Sequence, residues 1–187
     1  MKKFLSSALI AAVTVWGASL FADNARVDID GTTDGVKIET TKAPEGGSAD
    51  NATWMDEAKN TQYIHTGVPA TAEWKQSSFS FKPAKDGKVI IKMMGEWKPK
   101  DPGNPEELEP VWILYDDVTV KGADLKNGGF DGGFDGWSTY GEPTHVADQG
   151  HTKPGAMKVW HNGPALQEIA VKAGQEVTIS FWFKTTK

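Results

Sequence analysis

Beyond residue 22 the chain alternates apolar and polar residues in short runs, cut apart by clusters of Gly, Pro, Asn and Asp. Period-two alternation puts successive side chains on opposite faces of a strand, and no stretch carries the 3.6-residue stripe of an amphipathic helix. The pattern predicts an all-β fold, a two-sheet antiparallel sandwich. Residues 26–30 (RVDID) and 36–40 (VKIET) read as strands joined by a Gly-Thr-Thr-Asp-Gly turn, and 61–68 as an edge strand. Residues 74–81 (WKQSSFSF) and 88–94 read as a hairpin about Pro83-Ala84-Lys85-Asp86-Gly87. Residues 111–120 are the most apolar strand, and 156–161 (AMKVWH), 166–171 (LQEIAV) and 176–184 (EVTISFWFK) complete the set. Surface loops are expected over 42–60 and the proline-rich 98–110, and a double turn over the glycine-rich 128–136.

The same alternation sorts the aromatic residues. In 176–184, Val177, Ile179, Phe181 and Phe183 share a face and are expected in the core, so Trp182 faces away with Thr178, Ser180 and Lys184. In 156–161, Met157 and Val159 are expected inside, and Trp160 outside with Lys158. Trp54 and Trp97 fall in or beside the two long loops, and Trp74 can be read either way.

Composition changes this picture in four ways. The first 22 residues, with Lys2 and Lys3 ahead of a short run of apolar and small residues ending at Ala22, have the form of a secretory signal peptide. The run is short, is interrupted by Ser6, Ser7 and Thr14, and lacks a stop-transfer flank, so a secreted or periplasmic location is expected rather than a membrane anchor. Without Lys2 and Lys3, 18 Lys and Arg face 25 Asp and Glu, a net charge of −7. That balance gives no electrostatic footprint for nucleic acid and no basic cluster for an anionic membrane. There is no cysteine, so neither disulfides nor thiolate chemistry operate. Finally, seven of the eight tryptophans lie beyond the leader, a high density for one β domain, and some are expected at the surface.

Several segments resemble the jelly-roll carbohydrate-binding modules of families 4 and 9, within the galactose-binding-like sandwiches. The family's opening Asn-Gly-x-Phe-Glu and Gly-Trp correspond to Asn127-Gly128-Gly129-Phe130-Asp131 and Gly136-Trp137, which makes Trp137 a core residue. Its small-Leu-x-Val strand corresponds to Ala156-Met157-Lys158-Val159. Its Gln-x-Ile and Ser-Phe-Trp-x-Lys elements correspond to Gln167-Glu168-Ile169 and Ser180-Phe181-Trp182-Phe183-Lys184. The family's closing strands correspond to Trp74, Phe79-Ser80-Phe81 and Tyr115-Asp116-Asp117-Val118, so here they come first. A single domain over 23–187 circularly permuted around 121–127, a piece of a tandem array, or a truncated chain would each give this order.

The resemblance implies a non-catalytic protein that binds poly- or oligosaccharide. A flat aromatic face would meet the apolar C–H face of a pyranose, with polar groups framing it. Trp182 and Trp160 are the expected platforms. Trp97 and Trp54 are candidate walls, and Tyr140 and His161 candidate hydrogen-bonding partners. The resemblance further implies a structural calcium held by Asp116, Asp117, Asp131 and the Gly129 carbonyl, although Asp131 stands where the family carries Glu. These aspartates can equally cap turns. No motif singles out a pair of catalytic carboxylates, and His145 and His151 lack a tight metal spacing. A structural or protein-binding sandwich, and an accessory piece of a modular glycoside hydrolase, are the alternatives. The first leaves a protein partner open.

Overall fold

The computed structural model describes residues 23–52 and 61–186. The leader and Trp54 lie outside the described residues. Fourteen strands are described: β1 (Asn24–Asp30), β2 (Ile38–Lys42), β3 (Ser48–Ala52), β4 (Tyr63–Pro69), β5 (Lys75–Pro83), β6 (Gly87–Gly95), β7 (Pro99–Asp101), β8 (Asn104–Leu108), β9 (Ile113–Lys121), β10 (Ser138–Thr139), β11 (Thr144–Val146), β12 (Ala156–Val159), β13 (Ala165–Val171) and β14 (Val177–Thr185). Two six-stranded antiparallel sheets pack face to face, ordered β10-β13-β6-β1-β4-β3 and β11-β12-β9-β14-β5-β2, and β7-β8 form a separate hairpin. The architecture is the expected all-β, two-sheet antiparallel sandwich.

The core lies between the sheets and is built by alternation. Val27 and Ile29 of β1, Val89, Ile91 and Met93 of β6, and Ile169 and Val171 of β13 meet Phe79 and Phe81 of β5 and the β14 series Val177, Ile179, Phe181 and Phe183. Met157 and Val159 point inward and Trp137 is buried, as expected. Two polar side chains of the first sheet, Thr66 and Gln167, are buried on its inward face. Thr66 Oγ1 accepts the Val27 N–H at 2.9 Å and donates to the Val27 carbonyl at 2.7 Å, standing in for ladder bonds between β1 and β4.

Some expectations about connectivity fail. The strands at 74–81 and 88–94 do not pair as a hairpin: β5 lies in the second sheet and β6 in the first. Likewise β1 and β2 belong to different sheets. The turn residues are where the sequence puts them, but each turn crosses the sandwich, because every one of these strands has an apolar side to bury. The expected edge strand at 61–68 is flanked on both sides, with β3 from the supposed 42–60 loop forming the edge. The 98–110 loop contains the β7-β8 hairpin, whose Gly103 N–H is accepted by Asp101 Oδ1 at 2.7 Å.

The two ends of the described chain meet the same short segment. The Ala70 N–H donates to the Asp23 carbonyl at 2.8 Å, and the Thr185 N–H to the Thr71 carbonyl at 2.8 Å. Between β9 and β10, Lys126 is clamped to β13: its N–H donates to Gln167 Oε1 at 2.7 Å, and Gln167 Nε2 donates to its carbonyl at 2.9 Å. Asn127, at φ 49°, organises the glycine-rich turn by donating from Nδ2 to the carbonyls of Gly133 and Asp135 at 2.9 and 3.0 Å.

Candidate functional site

The two outward faces of the sandwich differ. On the first sheet, period-two geometry puts Arg26, Asp28 and Asp30 of β1 outside. The Asp28 side chain is nevertheless only 1% exposed. Arg26 Nε lies 3.0 and 2.9 Å from its two oxygens, and Nη2 lies 2.7 Å from Oδ2. His65 of β4 brings Nδ1 to 2.9 Å from the same Oδ2. A buried carboxylate is tolerated only with its charge and lone pairs met, and the guanidinium fork meets both. Next to it, Lys92 of β6 donates to Asp30 at 2.8 Å and to the Tyr63 hydroxyl at 2.9 Å. Burial pushes the Asp30 carboxyl up, but bonds from Lys92 and Thr32 outweigh it and leave the pKa below the ordinary value.

The backbone beneath this network is pinned from across the core. Tyr115 of β9 accepts the Arg26 N–H at 2.9 Å and sits 3.1 and 2.8 Å from the carbonyls of Arg26 and Met94. Burial holds its phenol far above the usual range. Close by, β6 ends at Gly95, where any Cβ would stand 2.0 Å from the Val111 carbonyl oxygen. Only glycine lets the two backbones approach so closely. The chain leaves there with Glu96 and Trp97. The Glu96 N–H bonds the Asn24 carbonyl at 3.0 Å, Asn24 Nδ2 donates to Glu96 Oε2 at 2.7 Å, and burial raises the Glu96 carboxyl. Trp97 is 49% exposed.

These groups enclose a cleft of ≈ 260 Å³, with Trp97 as its aromatic wall and Asn24, Arg26, Asp50, His65 and Glu96 among its polar lining. Two other clefts are larger, ≈ 560 and ≈ 590 Å³, but no aromatic side chain lines either. His161 lies beside the same network, within electrostatic reach of Arg26, Asp28 and His65. Burial, then the Arg26 charge, lowers its pKa. Its Nδ1 is buried with no hydrogen-bond partner among the described residues.

The outer face of the second sheet is aromatic. Ring contacts join Trp112 to Trp160 (centroids 5.7 Å apart) and His151 to both Trp182 and Trp74. A bulge shapes this face. The β9–β14 register slips between Ser180 and Trp182, and Asp117 takes φ 47°. The bulge lets Asp116 and Asp117, adjacent in sequence, both serve the 150–152 loop. Asp116 Oδ1 accepts the Asp117 N–H and Oδ2 the His151 N–H, each at 2.7 Å. Asp117 Oδ2 lies 2.8 Å from His151 Nδ1 and accepts the Thr152 hydroxyl. Burial raises the Asp116 carboxyl. At Asp117 burial acts the same way, but the Thr152 and His151 contacts outweigh it and leave the pKa lowered.

The His151 ring therefore lies flat on Trp182, with centroids 3.7 Å apart and planes 15° apart. One face of the expected platform is covered by the protein's own side chain. Trp160 packs against Trp112. Tyr140, 56% exposed, lies just past β10, at the edge of the first sheet. The structure thus brings Trp97 and His161 to the first-sheet face, Trp182 and Trp160 to the second, and leaves Tyr140 apart. Sequence reasoning passed over Arg26, Asp28 and His65. The opposite charges at i and i+2 of a predicted strand were the available signal.

The residues implied as calcium ligands are engaged with protein groups. Asp116 uses both oxygens on backbone donors, Asp131 pairs with Lys153 at 3.3 Å, and Gly129 lies in the turn between them. Among the described residues, no three acidic or histidine side chains stand close enough to hold a metal ion.

Fold and surface together define an all-β sandwich whose first sheet carries the Trp97 cleft and whose second sheet carries a tryptophan cluster and a ≈ 590 Å³ cleft along Gln76, Ser78 and Ser180. No family model, curated protein or solved structure matches the chain. Among the described residues, no helix is long and apolar enough to cross a membrane.

Proposed function

We propose that the protein is an exported, non-catalytic carbohydrate-binding protein whose sugar site is the Trp97 cleft. One observation carries the reading. An exposed indole stands beside a polar cleft in which Asn24 holds Glu96, and the Asp28 carboxylate holds Arg26 and His65 from beneath. Small-ligand sites combine an apolar or aromatic surface with a few well-placed polar groups. A pyranose needs that combination, a flat ring for its C–H face and carboxylate, amide and guanidinium groups for its hydroxyls. Asn24, Asp50, Glu96 and Arg26 supply the polar part, and His161 backs the network. The resemblance to carbohydrate-binding modules supports the same class, and the form of residues 1–22 supports export.

Affinity electrophoresis through gels containing neutral soluble polysaccharides tests the reading. The wild-type protein should be retarded by at least one polymer, and Trp97→Ala should weaken that interaction roughly tenfold or more. Equal mobility of wild type and variant in every polymer would remove the cleft from consideration.

A second reading, a structural or protein-binding sandwich, is favoured by the His151 ring that covers Trp182. A structural calcium also belongs to this proposal, on the strength of the resemblance. To bind Asp117 and Asp131 it would have to displace His151, Thr152 and Lys153. Thermal melting with calcium and with a chelator decides: a bound ion raises the midpoint, and coincident curves argue for turn-capping aspartates.

A further inference from the structure

The tryptophans of the second sheet frame two lysines that have no counter-ion. Lys158 Nζ lies 4.9 Å from the Trp112 ring centroid, and Lys184 Nζ 4.9 Å from that of Trp74. Neither ammonium lies within ion-pair distance of a carboxylate among the described residues. Six other lysines do: Lys88, Lys92, Lys98, Lys100, Lys153 and Lys172. Seven further described lysines make no ion pair either; Lys158 and Lys184 are set apart because each of their ammoniums lies over a tryptophan ring.

Their spacing is fixed by the ladder. Lys158 and Lys184 both pair with Leu114, one from each side, so they stand two strands apart, roughly 10 Å. Leu114 between them is fully buried although it points away from the core. The nearby outward carboxylates do not neutralise them. Asp116 is held by backbone N–H groups, and Asp117 by His151 and Thr152.

We propose that this tryptophan-framed lysine pair is a second binding site, for an anionic polysaccharide whose sugar rings carry carboxylate or sulfate groups. Each ammonium is held over an indole face, partly desolvated and preset, and donates to one anionic substituent. An extended acidic peptide fits less well. Strand-like peptides add to sheet edges, and these lysines stand in mid-sheet. The site is separate from the Trp97 cleft, on the opposite face of the sandwich.

Affinity electrophoresis tests it with polygalacturonate, dextran sulfate and neutral dextran in separate gels, and with poly-glutamate as the peptide control. Variants are Lys158→Gln/Lys184→Gln, which keeps most of each aliphatic stem on its ring, and Trp97→Ala. The wild-type protein should be retarded by polygalacturonate or dextran sulfate, and the stronger of the two identifies the anion. The double variant should bind that polymer about tenfold more weakly, while Trp97→Ala binds it as wild type does. Rising salt should release the wild-type protein, a readout independent of whether the variant folds. No retardation by either anionic polymer, equal retardation of wild type and double variant, salt-independent binding, or equal binding of poly-glutamate would overturn the proposal. Loss of retention in Trp97→Ala on neutral polymers alone bears only on the first site.

Discussion

The two outer faces of this sandwich treat their functional groups in opposite ways. On the first sheet, charges are buried and paired: Asp28 lies under Arg26 and His65, and the aromatic wall at Trp97 is left open. On the second sheet, the rings are half-buried and occupied. His151 lies on Trp182, and lysine ammoniums lie over Trp112 and Trp74. An abundance of tryptophan therefore does not by itself mark a sugar platform. What matters is whether a ring face remains open next to polar groups that are already fixed. By that criterion one indole near a polar cleft outranks four that pack on their own neighbours.

The largest effect expected from breaking this contrast is on the polar face. Arg26→Met takes the guanidinium away from the buried Asp28 carboxylate and leaves it only the His65 contact, which should cost about 3–5 kcal/mol of folding stability in urea unfolding. The double replacement Arg26→Met/Asp28→Leu should recover much of that loss, because no buried charge remains. If the single variant were as stable as wild type, the guanidinium would not be what compensates Asp28.

A smaller effect belongs to the aromatic face. His151→Ala removes the stacked ring and the Asp117 contact, and should cost about 1–2 kcal/mol. It also uncovers one face of Trp182. If neutral polysaccharide binding rose in this variant, the second face would be a latent platform. No gain is expected, because the cleft beside Trp182, along Gln76, Ser78 and Ser180, holds no guanidinium–carboxylate network like the one at Arg26 and Asp28.

The smallest effect is on pH dependence. Burial and the Arg26 charge hold His161 below its ordinary pKa, so the unfolded chain takes up the proton first as pH falls. The sign follows from that difference. The stability linked to His161 is intact above about pH 6.5 and is lost as pH drops from there through the lower folded-state value. Melting curves between pH 7 and 5 should fall less steeply for His161→Gln than for wild type. Asp30 and Asp117, whose pKa values are lowered from an already acidic reference, lose their contribution only at lower pH.

Much of the fold was legible in the chain because one period governs it. The alternation in 176–184 and 156–161 correctly separated core from surface, and with it the side on which Trp182 and Trp160 lie. Connectivity was not legible. A turn signal is local, and the same residues between 83 and 87 serve a hairpin or a crossing between sheets. The Asp116-Asp117 geometry was hidden for a related reason. Strict alternation sends neighbours to opposite faces, and only the bulge, which no residue type announces when the left-handed residue is not glycine, lets both bond one loop. Of the candidate site, Trp97 could be named from its place beside a loop. The partners that make its surroundings polar come from β1, β3 and β4, and only sheet pairing brings those together.

The measurement that bears most directly on the central claim is amide chemical-shift mapping of the protein titrated with a neutral oligosaccharide from a polymer that retards it. The account predicts shifts concentrated at Asn24–Arg26, Ser48–Asp50, His65–Gly67 and Glu96–Trp97, the lining of the first-sheet cleft. Shifts centred instead on Trp112, Trp160 and Trp182, with that lining unmoved, would contradict it.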